Sequence, residues 1–371
     1  MRHHYTTLIA LLLGATSASL LRRKNLPGET GERLMFDPSG SFKVVSFSDM
    51  HFGENDGAEP PAPWGAEHDA ATQRVHAAIL DRERPSFVVF NGDLLTGENI
   101  KLGQLGLFLE QCYGPTVSRG LPFASTYGNH DNAVNVNHEM VLQYERSAHG
   151  DLSHTRSDVG PAPFGHVNYW LPVYANQSAT SPDLVMWFLD SRGVPPSMGG
   201  PDAGKNWVDE NIVPPWIKAQ AGAMKAKWGA VPPSIFFVHI PFSATRSLVP
   251  WNANGNNPPL WFDVQGHAGE DLPTLDAIAS LGKTVLGVIT GHVHGQSWCA
   301  RGPPSKGIAM CFDGHSGYGG YVTPSSAVRN GRVLVFNLAG LRGDSPKVDT
   351  YNAFEDGSER DRVQLGPSFM P

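Results

Sequence analysis

Five short blocks of this 371-residue chain combine acids, amides and imidazoles: Asp49-Met50-His51, Gly92-Asp93, Gly128-Asn129-His130-Asp131, the single His239, and Gly291-His292-Val293-His294. Carboxylate, amide oxygen and imidazole together suit borderline divalent cations such as Mn, Fe and Zn, and no cysteine stands in any of the blocks. A carboxylate can bridge two ions about 3.5 to 4 Å apart, and such a pair can activate a water while holding an anionic substrate. Asp49, His51, Asp93, Asn129, His239, His292 and His294 make seven potential ligands, enough for two sites and too many for one. Singly the blocks carry little weight, because Gly-Asp and Gly-Asn also make ordinary turns and a lone His is more often a satisfied polar group. Their combination and order carry the signal.

Each block follows a run with the composition of a buried strand. Residues 41–48 (SFKVVSFS) lead to Asp49, 86–93 (SFVVFNGD) to Asp93, and 121–131 (LPFASTYGNHD) to Asn129 and His130. Later, 234–241 (SIFFVHIP) carries His239, and TVLGVITGHVHG carries His292 and His294. Helical periodicity over 70–85, which must stop before Pro85, and over 138–148 alternates with the first three strands. That order, βαβαβ, predicts an α/β fold with parallel strands and helices on both faces. In an open parallel sheet the carboxyl ends of the strands line one crevice, so the blocks are expected to meet there. Residues 169–175 and 184–191 have the pattern of a hairpin, 214–228 and LPTLDAIASLG read as helices, and GIAMCFDG and GRVLVFNLAG as two late strands. No repeat or Ser/Gly linker divides the chain. The expected organisation is a signal peptide over 1–18, a poorly ordered lead-in over 19–40, one catalytic-type domain over 41–345 and a C-terminal tail over 346–371.

Composition narrows the functional classes. With 28 basic against 35 acidic residues and a formal net charge of −7, there is no global electrostatic case for nucleic-acid or anionic-membrane binding. The opening MRHHYTTLIALLLGATSAS has a basic start, a short apolar run and small residues near Ala18, the layout of a cleaved secretory leader; an uncleaved membrane anchor is the alternative. Three cysteines allow at most one internal disulfide, for which Cys299 and Cys311 are the favoured pair; three reduced core thiols are the alternative if the chain is intracellular. One glycosylation sequon, Asn176-Gln177-Ser178, fits a secreted loop. His68, His76, His138, His149, His154 and His166 read as surface or satisfied histidines, while His315 in DGHSGYGG either approaches the site or sits in a tight loop between strands. Loops over 54–66, 192–211 and 245–270 are where substrate selection is expected, and no motif specifies an oligomeric state.

The blocks DMH, GD, GNHD, the His of FFVHIP and GHVH resemble the signature of the calcineurin-like metallophosphoesterases over about residues 42 to 340. WFLDS, WCARG and CFDGHSGYGGY resemble the branch of Dcr2-like and purple-acid-phosphatase-like phosphatases. The resemblance implies a four-layer sandwich of two mixed β-sheets flanked by α-helices. It further implies one metal held by Asp49, His51, Asp93 and His294 and a second held by Asp93, Asn129, His239 and His292, with Asp93 as the bridge. It assigns His130 to contact phosphate and protonate the leaving oxygen, and Asp131 to orient His130. The implied reaction is hydrolysis of phosphate monoesters, on a phosphorylated small molecule or protein, by a metal-bound hydroxide attacking in line; a phosphodiesterase acting on nucleotides or lipid headgroups with the same metal core is the alternative. A catalytically inert secreted binding protein is the third possibility. One departure matters: Thr96 stands where purple acid phosphatases carry the Tyr that colours them, and His51 stands where they usually lack a His, so a colourless centre is expected.

Overall fold

In the computed structural model, which describes residues 25–54, 65–101, 103–163, 165–193, 205–248, 269–322 and 327–370, the chain enters along β1 (Leu34–Met35) and then β2 (Ser41–Phe47). Helix α1 (Gly65–Glu83), β3 (Phe87–Asn91), α2 (Leu105–Val117), β4 (Phe123–Thr126) and α3 (His138–His149) complete the first half. Next come β5 (Tyr169–Tyr174), β6 (Leu184–Leu189), α4 (Val213–Trp228), β7 (Ser234–Val238), α5 (Leu272–Ala279) and β8 (Val285–Thr290). The chain ends with β9 (Cys299–Ala300), β10 (Met310–Phe312), β11 (Asn330–Asn337), α6 (Leu338–Leu341), β12 (Val348–Phe354) and β13 (Glu359–Leu365).

Two mixed sheets result. One has the order β13-β12-β11-β2-β3-β4, parallel through β2, β3 and β4 and antiparallel beyond; the other has the order β1-β5-β6-β7-β8-β10-β9, with β6, β7 and β8 parallel. Their inner faces meet. The Tyr169 hydroxyl donates to the Ser125 carbonyl (2.8 Å), and Asn91 Nδ2 donates to the Ile289 carbonyl (3.3 Å), both across the seam. Each sheet therefore carries helices on its outer face alone: His76 of α1 packs its ring 4.1 Å from Phe47, and Trp216 of α4 lies 5.6 Å from Trp187. The outcome is the four-layer α/β sandwich. The expectation of helices on both faces of one sheet gives way because strands such as β6 and β8 are buried throughout, and a continuous apolar run does not say whether its second face meets a helix or another sheet.

Three further differences follow from local chemistry. Helix α2, the crossover that parallel β3 and β4 require, has no place in the sequence-based element order because Gly106, Gly114 and Pro115 interrupt its periodicity. The segment 346–371, expected to be a tail, supplies β12 and β13, whose Val348, Tyr351, Phe354 and Leu365 are buried. Its last strand, ERDRVQL, is a charged edge, which protects a sheet margin from pairing but does not look like a strand. The described part of the lead-in is also ordered: β1 pairs with β5, and Glu29 accepts from the Tyr174 hydroxyl (3.1 Å). Cys299 and Cys311 face each other across β9 and β10 and are bonded, while Cys112 is free and buried. No helix among the described residues is long and apolar enough to cross a membrane. Residues 1–18 and much of the expected substrate loops, over 55–64, 194–204 and 249–268, lie outside the described residues.

Candidate metal centre

At the ends of β2, β3 and β8 the backbone leaves ordinary strand geometry. Asp49 (φ 57°), His51 (φ 51°), Asp93 (φ 50°) and His292 (φ 71°) all occupy the left-handed region, four of the nine non-glycine residues that do so among the described ones. Such conformations cost of order 1–3 kcal/mol each and persist where the surroundings over-determine them. Here the backbone does so: Asp49 N–H donates to the Gly92 carbonyl (3.0 Å), and the N–H groups of Met50 and His51 both donate to the Asp93 carbonyl (2.8 and 3.1 Å). Gly92, at φ 88°, is required by close approach, since a Cβ there would stand 2.4 Å from the His239 ring.

The turns assemble two triads. The ligand atoms of Asp49, His51 and His294 lie within 4.8 Å of one another, and so do those of Asp93, His239 and His292. Asp93 Oδ2 lies between them, 3.1 Å from His239 Nε2 and 3.6 Å from His51 Nε2. Asn129 Oδ1 is buried without a hydrogen-bond partner, beside His130, whose N–H donates to Asp93 Oδ1 (2.8 Å).

The donor set fits two divalent cations. His239 Nδ1 donates to the Asn91 carbonyl (2.8 Å) and His294 Nδ1 to the Tyr321 carbonyl (2.6 Å); a carbonyl only accepts, so Nε2 is the atom each ring can turn to a cation, and without one Asp93 outweighs burial and raises His239 to about 9. Nδ1 of His292 and Nε2 of His239 are buried with no hydrogen bond of acceptable geometry, as is Asn129 Oδ1. An orphaned buried polar atom costs about 1–3 kcal/mol, and a cation between them relieves all three. Burial holds His51 down to about 3 and His292 to about 4, so both are neutral, the ligating form. Asp93 is held well below the usual carboxylate range: burial opposes this, and its neighbours His239 and His130 outweigh it.

His130 and Asp131 part company. His130 is about one-third exposed at its side chain, its ring centroid 4.9 Å from that of His51. The carboxylate that contacts its Nδ1 is Glu98, at 2.7 Å. Burial opposes charge on His130, but Asp93 and then Glu98 raise it to about 10. Asp131, expected to orient the ring, is fully buried and instead accepts from the Leu95 N–H (3.0 Å) and the Gly128 N–H (2.8 Å), bracing the loop that carries Asn129. Glu98 escaped notice because it lies outside the quoted blocks. Its signal was its place in GDLLTGEN, five residues after Asp93 in the same turn.

The remaining candidates resolve simply. His315 is buried with its ring 4.0 Å from that of His294 and its Nε2 3.1 Å from the Gly319 carbonyl, behind the cage and not in it. Thr96 carries no ligand role and contacts His51 Nδ1 at 3.0 Å. Tyr321 stacks on His294 at 3.9 Å, and its hydroxyl accepts from the His294 N–H (2.9 Å); burial pushes the phenol well above its usual range.

One sheet brings carboxylates, an amide and an imidazole to this end of the sandwich and the other brings three imidazoles, and around the shared carboxylate of Asp93 they make two candidate metal sites. Residues 42–296 match the family model for calcineurin-like phosphoesterases, and the chain belongs to that family. Phosphatase DCR2 of Saccharomyces cerevisiae is 25% identical over 353 residues, 91% of this chain and 60% of the yeast protein, so the chain spans about three-fifths of that relative's length. A protein named probable inactive purple acid phosphatase 29 of Arabidopsis thaliana is 24% identical over 94% of this chain and 89% of its own. Among solved structures, a dimetal phosphatase from Danio rerio superposes with a TM-score of 0.54 at 14% identity, over 90% of this chain and all of that one, a likeness of fold.

Proposed function

We propose that the protein hydrolyses phosphate monoesters with two divalent ions of the Mn, Fe or Zn type bound at this centre. The observation that carries the reading is Asp93 Oδ2 placed within 3.6 Å of one triad's His51 and 3.1 Å of the other's His239. Asp49, His51, Asp93 and His294 would hold one ion, and Asp93, Asn129, His239 and His292 the other. Ions bound there would supply an activated water and offset the charge on phosphate oxygens. His130 does the proton work of the chain: Glu98 occupies its Nδ1, which leaves the Nε2–H to pass to the oxygen that departs from phosphorus. Asp131 keeps the loop in register.

The names of the plant relatives favour a second reading, an inert binding protein; retention of all seven ligand positions weighs against it. The test is protein with counted metals, assayed on an aryl phosphate and a bis-aryl phosphate. We expect about two ions per chain, faster turnover of the monoester, and a loss of about 10²–10⁴-fold in kcat for His130→Ala. Preference for the diester would replace the proposal with a phosphodiesterase, and undiminished turnover in both Asp93→Ala and His130→Ala would remove it. Passage through the secretory route is likewise a proposal, supported by the exposed Asn176 turn and the bonded cysteines.

A further inference from the structure

Glu54, the first residue of a loop expected to select substrate, touches two arms that lead to both histidines of the first triad. Its Oε2 accepts from the Thr96 hydroxyl at 2.5 Å and from the Gly320 N–H at 3.3 Å. A hydroxyl has one proton. Since Thr96 gives that proton to Glu54, its oxygen can only accept from His51 Nδ1, 3.0 Å away, which leaves the His51 Nε2 lone pair facing the centre.

The second arm runs through Gly320. A Cβ on that residue, which sits at φ 71°, would stand 2.5 Å from His294 Cε1 and 2.9 Å from His51 Cδ2, so the loop is pressed against both rings. Its next residue, Tyr321, accepts the His294 Nδ1–H on its carbonyl (2.6 Å) and stacks on the ring. With both Nδ1 atoms acting as donors, His51 Nε2 and His294 Nε2 face each other at 3.2 Å with a lone pair each. Two lone pairs at that distance repel unless a cation or a proton lies between them.

We propose that Glu54 is a positioning residue for the first metal site, fixing the tautomer and aim of His51 through Thr96 and the stance of His294 through the Gly320–Tyr321 backbone. The inference rests on the metal-site reading above. Glu54 is only partly buried, and Thr96→Val keeps the branched shape while losing the hydroxyl, so folding of both variants is checked within the same titration. The experiment titrates metal-free protein with Zn(II) alone by calorimetry, without reference to activity. Wild type should bind two ions. Thr96→Val and Glu54→Ala should weaken one of them by about 10- to 100-fold and leave the other as in wild type, the usual size of an outer-partner effect. The retained ion shows that each variant is folded. Thr96→Ser, which keeps the hydroxyl, should restore wild-type affinity. Two ions bound with unchanged affinity in Thr96→Val and Glu54→Ala would overturn the clamp while leaving the metal site standing; equal weakening of both ions would also overturn it. No ion bound by wild type would overturn the clamp and the metal site together.

Discussion

At the level of single residues, the pairing of His130 with Glu98 is the contact with the most direct consequence for rate. Asp93 and Glu98 both favour charge on His130, but ions bound at the centre offset the Asp93 charge, so Glu98 remains the carboxylate that keeps the ring protonated. Glu98→Gln should lower kcat for an aryl phosphate by about 10- to 100-fold, less than removal of the imidazole, with KM little changed. The sign of its pH effect is fixed: without the carboxylate the His130 pKa falls, so the alkaline limb of kcat moves to lower pH. A pH–rate profile with its alkaline limb in the wild-type position would refute the pairing. Sequence spacing could identify His130 but not its partner, because partner choice depends on which carboxylate the turn after β3 swings round. The same limit applies to Asp49 and His51. Side chains two apart on a strand share a face, and the pair does converge, yet both residues are left-handed and the strand ends at Phe47. The outcome was legible and the geometry was not.

At the level of elements, the site depends on how α3 meets the end of β6. His138, the first residue of α3, is buried against Asp190 just beyond β6, with Nδ1 3.2 Å from the carboxylate, and its Nε2 donates to the Gly128 carbonyl at 2.8 Å, immediately before Asn129. Burial opposes charge on His138, but Asp190 raises it to about 9; Asp190 in turn is held below the usual carboxylate range, since His138 outweighs its burial. A raised histidine stabilises fully below its unfolded value of about 6.5 and loses that contribution as pH climbs through about 9; the depressed Asp190 contributes above about 4 and fails below it. Wild-type melting temperature should therefore decline between pH 6.5 and 9 by more than that of Asp190→Asn, which should itself be less stable by about 3–5 kcal/mol near pH 6. Parallel pH slopes in the two proteins would show that the pair is not charged. In the sequence His138 is one of ten histidines outside the blocks, and only the packing of α3 on β6 gives it a partner. Alternation and strand composition revealed most of the elements; α2 and β13 escaped through helix breakers and edge charges.

At the level of the whole molecule, the ligands divide between the two sheets. Asp49, His51, Asp93 and Asn129 follow β2, β3 and β4, while His239, His292 and His294 follow β7 and β8. Ions bound there would join the sheets at one end of the sandwich, where the contacts between them are polar: Asn91 bonds both Ile289 and Asp313 across the seam. An ion that binds the native state and not the unfolded chain stabilises by mass action, about 2.7 kcal/mol for one site at a free concentration of 100 Kd. Removing the metals with a chelator should lower the melting temperature, and returning Zn(II) or Mn(II) should restore it in a concentration-dependent way. Asp93→Asn, which removes the charge shared by both triads, should melt near the metal-free wild type and respond far less to added metal. Identical melting of chelated and metal-loaded wild type would mean that the ions do not bridge the sheets.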